Sequence, residues 1–426
     1  MVFTINGLDV MSRYDTTYAS ENIDNVTGFK VNGTDIAKSV TPGVDGYTTD
    51  DPTTNNAFKT ANLSFNQLFS TSKPLVVSSD IQYTTKQTVG DYIFRENTTV
   101  GWRSMMRLTI PNISGIQIPL RILVLGAGGG GGSGGLHNQD HGPGGGGAGT
   151  FLELTMTLDE THDQCYFYVH VGIGGGGGGY GWDGDPGTRG EAGEMGQDTH
   201  LRLYNASGQQ INEYRAEGGA GGGGNQNSGH AQGNNGNPDG GRRGSGGGGC
   251  GFNAGGVAGG TAGNPTYLTS INRSDEHPLT TVDAARANSG GRGITWTGGG
   301  GGGGAGSAGS AGSTAGGRSL LDGGHGGNGY QWINGSTYAG GGGGGRRITE
   351  HPDGTGSYGK GGSGGGGGGY YKQKNAGLGT GSGGMGAFEG WNTGQHGGYG
   401  GHGRISIAIP RKYTEADYDT FTPLYY

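Results

Sequence analysis

Uninterrupted runs of glycine constrain this chain more than any other feature. They recur from about residue 126 onward, between strand-like, aromatic and polar segments, and glycine makes up 109 of the 426 residues. Glycine loses more backbone freedom on ordering than any other residue, and fixing one residue costs roughly 1–2 kcal/mol. Composition alone would make such runs flexible linkers. Their punctuation argues for order. Leu120–Leu125 (LRILVL) enters Gly126–Gly132 directly, and Cys165–Val171 (CYFYVHV) leads straight into the run 174–179. A flexible linker does not need a strand at its head.

The runs also repeat every third residue. Glycine stands at 172, 175, 178, 181, 184, 187, 190, 193 and 196, and in a second register at 300, 303, 306, 309 and 312. Three residues per turn is the polyproline II repeat, with a rise of about 3.1 Å per residue and no internal hydrogen bonds. The tracts are short, poor in proline and set between strands, which argues against a collagen triple helix. The expected arrangement is a bundle of polyglycine II helices that satisfy their N–H and C=O groups on one another. A helix surrounded on all sides carries no side chain, so the pure runs 298–304, 340–345 and 364–369 are expected to be buried. The every-third-residue tracts are expected at the edge.

Only 30% of residues are hydrophobic, so backbone hydrogen bonding must supply part of what apolar burial usually does. The net charge of -7 and the absence of a Lys/Arg cluster argue against a nucleic-acid partner. The two cysteines, Cys165 and Cys250, make no disulfide framework, and Cys165 falls on the apolar face of its strand. The first residues lack the pattern of a secretory signal, and no stretch approaches the ~18 apolar residues of a membrane span. Synthesis in a cytosol, without membrane insertion, is the expectation.

The expected fold is mainly β with little α-helix, in three parts. Residues 1–115 read as a small mixed attachment module, in which 28–40 and 61–73 each suggest a strand, a turn and a small helix or docking hook. Residues 116–410 read as a sandwich-like glycine-rich domain with strands at 118–125, 151–158, 165–171, 200–204, 211–216 and 404–409. Residues 411–426 form a Tyr-rich tail. Long connections between the glycine passes, among them 180–197, 262–295, 318–339, 346–360 and 370–396, collect aromatic residues. Rigid passes with aromatic loops at their ends suggest a scaffold for a binding surface.

Chemical motifs are weak. GTGSYGKG (354–361) has Gly361 where a P-loop needs Ser or Thr. His137, Asp140 and His141 lie in a non-helical loop, Asp183 and Asp185 lack further oxygen ligands, and both groups read as solvated loop residues. No nucleophile, base and orienting group can be named, and neither a cofactor nor an enzymatic activity is expected. His325 and Asn328, like Tyr399 and His402, fall three apart in glycine tracts and project from one side of an edge helix. There they either solvate that edge or line a contact surface.

The element LRILVLGAGGGGGSGG, the loops YAGGGGGG and YGKGGSGGGGGG, the closing GYGGHGRISIAIP and the phrase FKVNGTDIAKSV resemble the glycine-rich tail-fibre and virion proteins of bacteriophages. Residues 116–410 are similar in pattern to the tip adhesins of contractile-tailed phages, although the loops here are longer. The resemblance implies a virion protein made in the host cytoplasm. Residues 1–115 would dock to other tail or fibre proteins, and the loops would bind a host cell-surface receptor, an outer-membrane protein or a glycan. Trp182, Trp296, Tyr330, Trp332 and Trp391 are the contact candidates. A homotrimer would follow the common symmetry of phage appendages, without coiled-coil heptads to enforce it. A structural virion component, capsid-decorating or tail-assembling, is the alternative, with the loops as subunit interfaces.

Overall fold

The computed structural model describes residues 85–110, 117–134, 142–179, 190–224, 244–251, 278–294, 298–313, 322–346, 358–368, 375–387 and 396–411, together with the backbone of short strands before residue 85. The described chain is mainly β.

The first strands are β1 (Phe3–Ile5), β2 (Leu8–Asp9), β3 (Phe29–Val31), β4 (Thr34–Ala37), β5 (Thr41–Gly43) and β6 (Gly46–Thr48). They form an antiparallel sheet ordered β2-β1-β3-β4 and a β5-β6 hairpin. The expected helix or hook within 28–40 is instead a strand. Val31 pairs with Thr34 across Asn32-Gly33, the two-residue signal of a tight hairpin. The companion segment 61–73 lies outside the described residues.

Two antiparallel sheets make a sandwich. One is ordered β15 (Gln210–Ala216), β14 (Thr199–Tyr204), β13 (Tyr166–Val171), β10 (Gly101–Thr109) and β7 (Val76–Val77). The other is ordered β16 (Leu279–Arg286), β12 (Phe151–Leu158), β11 (Ile118–Leu125), β19 (Arg404–Pro410), β9 (Tyr92–Asn97) and β8 (Thr85–Val89). Alternation sends Phe167, Val169, Leu201, Leu203, Ile122 and Ile407 into one shared core between them. All six strands expected after residue 116 are present. The boundary expected at 115/116 is not. β10 pairs with β13 and β9 with β19, so residues 85–109 supply strands to both sheets. β16 was hidden in the connection 262–295 because it is an edge strand in which only half the residues are apolar and these do not alternate. Only Val282 and Ala285 of β16 reach the core.

Beyond one end of the sandwich the strands continue as extended glycine passes. β11 runs into 126–134, β13 into 172–179 and β15 into 217–224, while β12, β14 and β19 are entered from 142–150, 190–198 and 396–403. Within pass 126–134 the N–H groups of Gly126, Gly129 and Gly132 donate to 142–150, those of Ala127, Gly130 and Ser133 to 190–198, and those of Gly128 and Gly131 to 396–403. Its carbonyls accept from 172–179, 217–224 and 381–387 by the same rule of three. Passes 142–150, 298–305 and 339–345 are likewise surrounded by six others. In the sandwich, core side chains hold the sheets about 10 Å apart. Where side chains vanish the two layers bond directly, as Gly130 N–H does to Glu194 O at 2.9 Å.

The runs 298–304 and 340–345 are buried, as purity implied. In the run 364–369, Gly367 and Gly368 are buried too, but its start has another cause. Gly364 and Gly365 take φ of +93° and +98° in a partly exposed turn, a conformation that favours glycine. Conversely, 381–387 is buried although it contains Ser382 and Met385. In the every-third-residue tracts, Gly175, Gly178, Gly190 and Gly193 point inward and are buried, as expected.

A Cβ on Gly130 would lie 1.9 Å from the carbonyl oxygen of Gly176, whereas a Cβ on Gly176 would meet only the movable Glu194 carboxylate, at 2.7 Å. Gly130→Ala is therefore expected to cost at least about 3 kcal/mol, the upper range for overpacking, and Gly176→Ala well under 1 kcal/mol. Thermal or denaturant unfolding of the two variants checks the difference; equal losses would refute the lattice geometry.

Candidate binding end of the glycine lattice

Hydrogen-bond register fixes the direction of the passes. Gly126, Gly129 and Gly132 donate in turn to Thr150, Gly147 and Gly144, so pass 126–134 leaves the sandwich and 142–150 returns to it. At the remote end Ser133 N–H meets Glu191 O at 2.9 Å, Gly397 meets Gly178 at 3.1 Å, Ala387 meets Gly132 at 2.8 Å and Ser313 meets Asp322 at 3.0 Å. The connections 135–141, 180–189, 295–297, 314–321, 347–357 and 388–395 therefore all depart from and rejoin that one end. Trp182, Trp296 and Trp391 lie in these connections, outside the described residues, as do His137, Asp140, His141, Asp183 and Asp185.

Two devices anchor loop bases. The buried Ser133 hydroxyl donates to Gly179 O at 2.6 Å and accepts from Glu191 N–H at 2.8 Å, closing the connection that carries Trp182. Buried Arg346 lays its guanidinium 4.6 Å over the Tyr358 ring, spanning the feet of 347–357. Sequence reasoning missed both. The only sign of Ser133 is that it interrupts a glycine run.

Side chains finish the lattice where a neighbouring pass is missing. His325 Nδ1 accepts from Lys360 N–H at 3.0 Å, Asn328 Oδ1 from Ser363 N–H at 3.3 Å and His402 Nδ1 from Gly174 N–H at 3.1 Å. Ser310 and Ser307 hydroxyls accept from the N–H groups of His325 and Asn328, at 2.6 and 2.9 Å. His325, Asn328 and His402 thus serve the edge itself, while Tyr399 projects with 61% of its surface exposed. Both cysteines are buried, and burial pushes the Cys250 thiol up to about 12.

Two of the five contact candidates are packing residues. β17 (Tyr330–Gln331) and β18 (Thr337–Tyr338) form a hairpin at the sandwich end, so they are remote from the loops. Trp332, only 3% exposed, stands edge-on to Phe94 with ring centroids 5.2 Å apart. Tyr330 is half-buried, edge-on to Phe151 at 5.3 Å and covered by the Arg286 guanidinium at 4.0 Å. The hairpin closes the apolar outer corner formed by Leu123, Leu125, Phe151 and Ala408, which explains its aromatic content.

Among the described residues no group of three His, Cys, Asp or Glu converges as a metal site, and no helix is long and apolar enough to cross a membrane.

Trp332→Ala should lower stability by about 3–5 kcal/mol, the usual loss for a buried aromatic; an unchanged melting transition would return Trp332 to the surface. Ser133→Ala removes the hydroxyl shared by Gly179 O and Glu191 N–H but leaves their direct bond at 3.0 Å, so the expected loss is about 1 kcal/mol, that of a typical internal hydrogen bond. Limited proteolysis should then cut faster within 180–189, and an unchanged rate would show that the hydroxyl does not anchor that loop. No protein-family model matches this chain, and no curated protein matches it.

Proposed function

We propose that this protein is a bacteriophage virion adhesin, a tail-fibre or tail-tip component that holds variable loops on a rigid glycine scaffold for attachment to a host cell surface. We also propose that the lattice is a polyglycine II bundle, as its bonding period of three and six-neighbour packing favour. The observation that carries the functional reading is the convergence of loop feet at one end of the lattice, away from the sandwich. A chain that only filled a shell or tube would not need to anchor both feet of six connections, three of them carrying a tryptophan, at one end.

On this reading Trp182, Trp296 and Trp391 are the contact candidates that remain, since Trp332 is buried and half-buried Tyr330 packs on Phe151 at the opposite end. Residues preceding the sandwich would dock to tail or fibre proteins, and the receptor would be an outer-membrane protein or a glycan. The chemistry is adhesion and not catalysis.

Replacing 180–189 and 388–395 by short glycine-serine turns should leave particle yield and protein incorporation unchanged while adsorption to host cells falls at least tenfold. Normal adsorption would overturn the adhesin reading. Failure of particles to assemble would instead favour a structural virion component.

A further inference from the structure

The outer face of the five-stranded sheet is built from aromatic, basic and polar side chains. Register sets three rows across β10, β13 and β14: Trp102, His170 and His200; Ser104, Tyr168 and Arg202; Arg107, Tyr166 and Tyr204. β15 extends the three rows with Arg215, Glu213 and Gln210 in turn. None of these positions is aliphatic, although the inner face of the same strands is almost wholly so.

The rings are preorganised. Trp102, 40% exposed, lies nearly parallel to Tyr168 at 5.3 Å and 13°, and Tyr166 stacks on Tyr204 at 5.2 Å and 9°. Arg202 sits 4.2 Å from the Trp102 ring centroid and Arg107 5.5 Å from that of Tyr166. Glu213 orients this set by accepting from His200 at 2.8 Å and from Arg202 at 3.2 Å. Burial raises the Glu213 pKa, but the bonds from His200 and Arg202 outweigh it and hold the carboxyl below its ordinary value. His170 is held below its ordinary value, first by burial.

We propose that this face binds a carboxylate-bearing polysaccharide. Stacked Trp and Tyr offer flat apolar surface to the C–H faces of sugar rings, while arginine N–H groups and imidazoles meet hydroxyls and carboxylates. The face also has local charge complementarity. Arg107, Arg202 and Arg215 stand against two carboxylates, Glu213 beside Arg202 and Asp198 beside Arg215, in a chain whose net charge is -7. A second copy of this chain is a poorer occupant, because stable homomeric interfaces are richer in apolar area than a face without aliphatic residues. A nucleic acid would need more cations than this face supplies.

The inference concerns a surface distinct from the loop-bearing end and does not rest on the adhesin reading. Affinity electrophoresis of the full chain in gels containing alginate or polygalacturonate, both polyuronates, tests it, with neutral dextran and oligo-dT for comparison. Retardation is expected in the polyuronates alone. Trp102→Ala and Arg107→Gln should each weaken it at least tenfold without change in the melting transition, Trp102→Phe should retain part of it, and the loop-replaced chain should bind as the parent does. No retardation by either polyuronate, retention in both Trp102→Ala and Arg107→Gln, equal retardation by dextran or oligo-dT, or concentration-dependent self-association abolished by Trp102→Ala would each overturn the proposal.

Discussion

Every buried peptide group in the glycine passes must find a hydrogen-bond partner on another pass, because an extended chain with a three-residue repeat makes none within itself. That single requirement explains the six-neighbour environment of 126–134, the lack of room for a Cβ on its glycines and the direct bonding of the two sheet layers beyond the core. It also explains the edge. Where no neighbouring pass is available, Ser307, Ser310, His325, Asn328 and His402 supply the missing acceptors.

Hydrogen bonding alone does not hold such a lattice together. A typical internal bond contributes about 0.5–1.5 kcal/mol net, while ordering one residue costs roughly 1–2 kcal/mol. Stability must therefore be anchored where apolar burial is dense, and the sandwich core provides it. The sandwich also sets register. β11 lies between β12 and β19, and their glycine extensions keep the same adjacency, so the sheets align the first bonds of the lattice. Glycine passes have no side-chain pattern of their own to prevent sliding by one repeat of three.

Much of this was legible in the sequence because strands and glycine passes have different periods. Alternation in 166–171 and 404–410 identified strands, and the recurrence of glycine every third residue at 172–178 and 190–193 identified inward faces. Less legible were β16, whose edge position removes most of its apolar side, and the start of the run 364–369, where Gly364 and Gly365 answer a positive φ. Trp332 and Tyr330 were read as surface contacts because aromatic residues in a polar connection look alike in sequence whether they face a partner or close a corner of the core.

The sequence by itself determined that the chain alternates between strands with a side-chain core and glycine passes without one, since only those periods let each segment bury its backbone or its side chains. The tertiary structure decided which passes became neighbours, that the loop feet gather at one end, and that strands from 85–109 complete both sheets. Glycine carries no side chain with which to specify a partner, so pass order is set by sheet topology. Loop position follows from that order and is not written in any local stretch of residues.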